Sequence, residues 1–308
     1  MKHTKIKLNN ATITVFIEDG ELKKCIYEKD GELPVGTIVH ARVKKADKKT
    51  KTVFVDIGEN MDAFFPKEIA LKAGEDDLFC IRKTPDDEKG YTIDGNFTIE
   101  DENGVLNIKK NYFKNTEHIY FTPKAGGDEN VLIKTWESIK SEKNTLPIPK
   151  VVYRAKSRAE KEINNLNSEE LEDFDLNSIA KENVWLFERK IDLNGGYIYV
   201  DILPYVTFFD INSGNFNSYY SSERNRHALN AEAMKKIVHI IEVRNIEGVI
   251  LVDLLKMKKN IQFNFLNELK QKYPFINFHG ITKLGILEMT IKKTGGRTIM
   301  KEMIFPNL

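Results

Sequence analysis

Val249-Ile-Leu-Val-Asp-Leu-Leu255 is a continuous apolar run interrupted by one carboxylate, Asp253. Such a run, without polar alternation, suits a strand covered on both faces. Upstream, Leu229, Ala233, Ile237, Ile240 and Ile241 recur at helical spacing, which predicts an amphipathic helix over Arg226–Arg244. Gly248 separates helix from strand. Earlier still, Gly196–Asp201 follows the Gly195-Gly196 turn, and Tyr205-Val-Thr-Phe-Phe-Asp210 drives a second hydrophobic strand into an aspartate. Downstream, Ile261–Tyr273 has helical spacing and is stopped by Pro274. Phe275–Ile281, Gly285–Ile291 and Thr298–Ile304 read as further strands. The last third is therefore expected to be an α+β sheet layered with helices.

The chain has 308 residues, more than one hydrophobic core usually serves, so two or more lobes are expected. Charged residues make up 30% and hydrophobic residues 41%, a soluble globular composition. The longest apolar runs fall far short of a membrane span. MKHTKIKLNN has no apolar stretch, so a secretory signal is not expected at the start. Cys25 and Cys80 cannot make a disulfide framework or a four-thiolate metal site, and a reducing cytoplasm is the expected compartment. The 47 Lys and Arg against 46 Asp and Glu exclude a globally basic coat for nucleic acid, but leave a local basic groove open.

At the front, Lys5–Glu18 alternates between apolar and polar residues, Asp19-Gly20 is a turn signal, and Leu22–Glu28 returns as a strand. A distinct module follows. Gly36–Val43 and Thr52–Ile57 are strands around the basic turn Lys44–Lys51, and Met61–Phe65 is a third, ended by Pro66. Strand, turn, strand with Val55-Asp-Ile-Gly58 and Ala63-Phe-Phe-Pro66 resembles the OB barrel of the ribosomal protein S-one type. Barrels of that kind bind single-stranded nucleic acid through stacked aromatics and a basic rim. Phe54 and Phe64 are the candidate stacking residues, and Lys83 and Lys89 the candidate phosphate contacts; a strand phenylalanine equally serves as core. The remaining barrel strands are expected between Asp77 and Lys109, with turns at Asp94-Gly95 and Asn103-Gly104. Val131, Ile133, Trp136 and Ile139 predict a helix over Val131–Lys140, Val151–Tyr153 reads as a short buried strand, and Arg154–Glu182 as a solvated helical face.

The chemistry is expected where the two apolar strands meet their aspartates. A carboxylate against an apolar strand is costly unless paired or bound to a cation. Two of them on neighbouring strands, Asp210 and Asp253, would repel unless a divalent ion sat between them. Mg²⁺ fits, because it takes one or two carboxylates and keeps several waters. Asn212, two residues past Asp210, falls on the same side and can orient a carboxylate. The plain alternative is a pair of strand-end turn formers or helix caps. No HExxH pattern, no Gly-Lys-Ser/Thr after Gly126-Gly127 and no partner for Ser213 is present, so zinc-protease, nucleotide-triphosphatase and serine-hydrolase readings are unsupported. His239 reads as structural, and His279 as a strand-end residue of the same lobe.

Four blocks in series, Phe209-Asp-Ile-Asn-Ser-Gly214, Asn230-Ala-Glu-Ala233, Arg244-Asn-Ile-Glu-Gly-Val-Ile-Leu-Val-Asp253 and Lys283-Leu-Gly-Ile-Leu-Glu-Met-Thr290, resemble the catalytic core of the bacterial ribonuclease E/G family. The resemblance implies an OB barrel inserted in a split RNase H-like lobe and followed by a DNase I-like α/β catalytic lobe. The boundaries it suggests are 1–33 and 111–195 for the split lobe with a shortened sensor region, 34–110 for the barrel and 196–308 for the catalytic lobe. It implies Asp210 and Asp253 as metal-binding aspartates, Asn212 as their support, and Phe54, Phe64, Lys83 and Lys89 as RNA contacts. The implied activity is Mg²⁺-dependent endonucleolytic cleavage of single-stranded RNA, with Mn²⁺ as an alternative ion, leaving 3′-hydroxyl and 5′-phosphate ends in RNA processing or decay. A homodimer through the catalytic lobe is compatible with it.

Departures from the family pattern are specific. Lys256 stands where the family has a further aspartate, and can contact phosphate instead. Ile291 replaces the first arginine of a basic cluster, leaving Lys292 and Lys293. Phe121, in His118-Ile-Tyr-Phe-Thr122, stands nearest to where a 5′-phosphate pocket needs arginine, and a guanidinium fork has no substitute in phenylalanine. No Cys-x-x-Cys is present, so neither zinc nor a zinc-linked tetramer is expected. These departures keep a second function in view: an RNA-binding protein of the same fold with weak or no cleavage.

Overall fold

The computed structural model describes residues 1–47, 49–85, 89–171, 179, 182–214, 222–293 and 296–304. The chain divides into a discontinuous unit, Met1–Asp30 with Glu162–Leu308, and a continuous one, Gly31–Lys161.

The first unit opens with three antiparallel strands: β1 (Lys2–Lys7), β2 (Ala11–Glu18) and β3 (Glu21–Lys29). Asp19 and Gly20 both take positive φ, 53° and 81°, the primed turn geometry that matches strand twist. The alternation over Lys5–Glu18 predicts one strand, but the structure holds two. A reversal at Asn9-Asn10 is closed by the Leu8 N–H donating to the Ala11 carbonyl at 2.8 Å. Period-two patterning runs through both arms of a tight hairpin, so it conceals the turn.

The second unit is built on a barrel. Its strands are β4 (Ile38–Asp47), β5 (Thr52–Asp56), β6 (Ala63–Phe65), β7 (Asp76–Lys83) and β8 (Thr92–Asp94). They pair in the order β4-β5-β6-β8-β7, and β7 pairs back to β4, which closes the ring. Val39, Val43, Val53, Val55, Phe65, Phe79 and Ile93 fill it. The chain then leaves. The structure ends the barrel at β8, not at Lys109 as the sequence predicts. Strands β9 (Asn96–Glu100), β10 (Gly104–Asn111) and β11 (Thr116–Pro123) form a separate antiparallel sheet. The exit is Gly95, where a Cβ would lie 2.4 Å from the Tyr112 ring, so only glycine lets that ring seal the bend. Phe97, Ile99, Leu106 and Ile108 pack this sheet on helix α1 (Glu129–Ser141). The buried stripe of α1 is Leu132, Trp136 and Ile139, one residue out of phase with the predicted Val131 and Ile133, and Val131 is exposed. Strand β12 (Lys150–Tyr153) pairs on β4 as an edge strand with Val151 exposed, where the sequence predicts a buried one. Helix α2 (Arg158–Leu166) leads back to the first unit, where the two-residue β13 (Glu169–Glu170) joins β1.

The rest of the first unit carries a six-stranded sheet. Its elements are β14 (Lys190–Leu193), β15 (Gly196–Ile202), β16 (Val206–Asn212), α3 (Glu223–Val243), β17 (Gly248–Asp253), α4 (Lys259–Lys272), β18 (Asn277–Ile281) and β19 (Ile286–Ile291). The strand order is β14-β15-β16-β17-β19-β18, with β16 and β17 parallel and all other neighbours antiparallel. A parallel pair needs a crossover, and α3 supplies it. Leu229, Ala233, Met234, Ile237, Val238 and Ile241 of α3 share one core with Ile13, Val15 and Leu22 of the first sheet and with Phe209, Ile250 and Leu287 of the second. The helix is thus covered on two sides. It ends at Arg244, whose buried guanidinium donates to the carbonyls of Leu186 (2.6 Å) and Glu188 (2.8 Å); burial lowers its pKa to about 10.

Two predictions fail in this sheet. Strand β17 is covered on one face only, since Val249 is 44% exposed and Leu251 half-buried while Ile250 and Val252 are sealed. Thr298–Ile304 is no strand: the Ile299 N–H donates to the Arg244 carbonyl at 2.7 Å and a helical turn, Lys301–Ile304, follows. Both edges of β17 are already taken by β16 and β19. No helix among the described residues is long and apolar enough to cross a membrane.

Candidate active site

Register decides the site. In the parallel pair β16–β17, Asp210 lies directly opposite Asp253. Neighbouring strands are about 4.8 Å apart, so the two carboxylates project side by side from the open face. They close the carboxyl ends of the two strands, where parallel sheets present their ligand sites. Asn212 lies two residues on and donates its Nδ2 to Asp210 Oδ2 at 2.8 Å. Tyr199 and Ile286 flank the pair in the same row. The Asp253 carboxyl is held above the usual carboxylate range, first by burial and then by the Asp210 charge.

Among the described residues, no lysine or arginine forms an ion pair with either aspartate. Nor, among the described residues, do three or more His, Cys, Asp or Glu side chains gather in a way that could hold a metal ion. The donor set is therefore two adjacent, uncompensated carboxylates with a supporting amide. That set fits Mg²⁺ or Mn²⁺ with a largely watered coordination sphere; a tetrahedral zinc site of His and Cys does not fit it. Both cysteines are buried, one in each unit, and burial raises both thiol pKa values, Cys80 to about 12.

Three residues to which the sequence reading gives no role hold the second aspartate's loop. Asn230 of α3 is fully buried. Its Nδ2 donates to the Leu255 carbonyl and its Oδ1 accepts from the Leu255 N–H, each at 2.9 Å. Arg226 donates to the Lys256 carbonyl at 2.8 Å, and Glu223 accepts from the Lys258 N–H at 2.6 Å. Positions 223, 226 and 230 share one helix face. The chain that leaves Asp210 thus comes back as the helix that grips the loop after Asp253. The available signal is Asn230 itself, a polar residue beside the apolar stripe: such a group, once buried, must be hydrogen-bonded.

The structure sorts the candidate lysines. Lys256 is exposed on the gripped loop, three residues past Asp253. Lys292 and Lys293 follow β19, and β19 places Ile291 opposite Gly248. They sit at the far end of β17, five residues or roughly 17 Å from Asp253. Lys283, which the sequence reading leaves without a role, lies in the Thr282–Gly285 turn at the carboxylate end, where the Gly285 carbonyl accepts from the Leu254 N–H at 3.4 Å. His279 bonds Thr290 Oγ1 at 2.8 Å, and His239 bonds the Leu22 carbonyl.

On the barrel, register produces a second row. Lys45, Phe54, Phe64, Thr92 and Lys83 are successive cross-strand partners over β4, β5, β6, β8 and β7. Val53, Val55, Ala63 and Phe65 point into the core, so Phe54 and Phe64 point out, half-buried and directly paired. Exposed Lys45 and Lys83 end the row. Lys89 is exposed beside residues outside the described set.

Residues 172–294 match the Ribonuclease E/G family. Over this span the chain is similar to the ribonuclease E/G family. The ribonuclease E/G span contains Asp210, Asn212, Asn230, Asp253 and Lys283, and leaves the barrel outside it. Two curated relatives, the Ribonuclease G proteins of Haemophilus influenzae and of Escherichia coli strain K12, are each 29% identical over 127 residues, 39% of this chain. A Ribonuclease E/G-like protein of Pyropia yezoensis is 26% identical over 204 residues, 64% of this chain and 37% of its own length. The matched stretch spans 26% of the length of the two Ribonuclease G proteins.

Proposed function

We propose that the protein is a divalent-metal-dependent endoribonuclease that cuts single-stranded RNA. The observation that carries this is the register of Asp210 with Asp253, two uncompensated carboxylates side by side within the ribonuclease E/G span. Asp210 and Asp253 hold the ion, Asn212 fixes the orientation of the Asp210 carboxylate, and Asn230 fixes the loop behind Asp253. A bound Mg²⁺ supplies Lewis acidity toward a phosphate and lowers the pKa of water. Lys256 and Lys283, at the same strand ends, meet flanking phosphates. Phe54 and Phe64 stack two unpaired bases, with Lys45 and Lys83 on the backbone. The products are those of the family resemblance, a 3′-hydroxyl and a 5′-phosphate. We read β14–β19 with α3 and α4 as the DNase I-like lobe, the first sheet as part of a split RNase H-like lobe, and the closed barrel as an OB fold. The setting is cytoplasmic RNA processing or decay.

The second reading, RNA binding without efficient cleavage, is favoured by one feature, a lysine at position 256, three residues past Asp253. One experiment separates the two: a labelled, unstructured AU-rich RNA incubated with the protein in Mg²⁺ and in EDTA, beside Asp210→Asn and Asp253→Asn. Cuts that need metal and vanish in both variants support the nuclease. RNA bound but left intact in Mg²⁺ and Mn²⁺ overturns it in favour of the second reading.

A further inference from the structure

The barrel unit has a second surface of note. Between the barrel and the three-stranded sheet β9–β11 runs a groove of about 820 Å³. One wall is the open face of that sheet. Asn96, Lys109 and His118 form a row there, and Thr98, Asn107 and Tyr120 form the next. The apolar side chains of the same strands turn the other way, onto α1. Tyr120 is accordingly 64% exposed, and Phe113, in the β10–β11 turn, 65%. Both line the groove. Neither ring is used by a core, so two large aromatic faces stand in water at one opening.

Charge and continuity favour one occupant. Lys67 and Lys109 line the groove, are exposed, and form no ion pair among the described residues, against one exposed carboxylate in the lining, Glu68. Lys110 is occupied by Asp77 at 2.6 Å and Arg82 by Asp94 at 2.7 Å. The groove therefore offers point charges but no free guanidinium fork, which suits phosphodiesters along a strand better than a terminal phosphate. Thr92 lines the groove and is also the fourth member of the row that holds Phe54 and Phe64. The stacking row and the groove thus share a rim within one unit. The volume lies in the range of small-molecule and nucleotide sites.

We infer that this groove is a second subsite for single-stranded RNA, taking unpaired bases on Tyr120 and Phe113 and their phosphates on Lys109 and Lys67. It reads base faces and ignores the state of the 5′ end. The inference rests on the reading that the Phe54–Phe64 row binds RNA.

The test is equilibrium binding of the full chain to two unstructured RNAs, of about four and about twelve nucleotides, each made with a 5′-hydroxyl and a 5′-monophosphate. Wild type should hold the longer RNA more tightly, and equally with either 5′ end. Tyr120→Ala with Phe113→Ala should weaken the longer RNA about tenfold and leave the shorter unchanged, while Tyr120→Phe restores binding. Lys109→Ala should lower the salt slope for the longer RNA by about one. Because both aromatic rings are exposed, an unchanged melting curve confirms that the variants fold. Phe54→Ala separates the two levels of the proposal. If Phe54→Ala weakens RNA but the Tyr120/Phe113 pair does not, the groove serves something else, such as a protein, and the inference is overturned alone. If neither change matters, the barrel-face reading falls with it. A preference for the 5′-monophosphate that is lost in Lys109→Ala would also overturn it, in favour of a terminal-phosphate site.

Discussion

Asp253 sets the energetics of the site. Burial and the neighbouring Asp210 raise its pKa, so the folded state binds that proton more tightly than the unfolded chain. By linkage, the stability this carboxyl contributes is full at acid pH and is lost as pH rises through its raised titration range. Asp253→Asn should therefore melt no lower than wild type in EDTA at neutral pH, and any advantage should disappear toward pH ~4, where the free carboxyl is half protonated. A clearly lower neutral-pH melting temperature would sink this account. Mg²⁺ should raise the melting temperature of wild type, because a ligand bound only by the folded state stabilises it, and should not raise that of Asp210→Asn or Asp253→Asn. At this scale the sequence is informative where a cost is visible. A carboxylate ending an apolar strand is such a cost, so Asp210, Asp253 and Asn212 stand out. Asn230 does not, because one polar residue beside a helical stripe looks like scatter until its partners are known. Lys292 and Lys293 follow Thr290 in sequence, and only the antiparallel register shows that they leave the sheet at the end away from Asp253.

Helix α3 is both crossover and clamp. Removing the Asn230 amide leaves the part-buried Leu255 N–H and carbonyl without that partner, at up to about 1–3 kcal/mol for each. Asn230→Ala should lower the melting temperature for that reason alone. Asn230→Asp keeps an acceptor for the Leu255 N–H but loses the donor, and should raise several-fold the Mg²⁺ concentration giving the half-maximal thermal shift. Lys235→Ala, on an exposed position of the same helix, should leave that midpoint in place. On the barrel, Phe54→Leu or Phe64→Leu should weaken single-stranded RNA about tenfold with little loss of stability, since each ring is only half-buried. Elements with a clean period, such as α3, β15 and β16, are legible in the sequence to within a few residues. The hairpin and barrel failures share one cause: alternation shows that a segment is extended, not which strand it pairs with. One predicted strand is the hairpin of β1 and β2, and β9 and β10 read as barrel strands although they belong to another sheet.

The barrel unit is continuous, with its own closed ring and core, whereas the carboxylate-bearing unit is assembled from both ends of the chain. Its contacts are correspondingly remote in sequence. The Leu22 N–H donates to Asn183 Oδ1 at 2.8 Å, and the Leu22 carbonyl accepts from His239. Gly31–Lys161 expressed alone should unfold cooperatively and bind single-stranded RNA with an affinity that falls with salt. A fragment lacking Met1–Asp30 should lose the cooperative melt of the other unit, because Ile13, Val15 and Leu22 would no longer cover α3. Two lobes are legible from length alone; which distant segments meet is not, since local periodicity says nothing about partners more than a hundred residues away. That distance also bears on synthesis. His239 follows its partner Leu22 by 217 residues. At about 5–20 residues per second, the ribosome needs roughly 10–40 s to deliver the helix that the first hairpin awaits. During that interval the apolar side of β2 and β3 has no partner, while the barrel, already complete in the nascent chain, is free to fold. The protein's most vulnerable surface in the cell is thus its own N-terminal hairpin before α3 emerges, and that is where a ribosome-bound chaperone should be found.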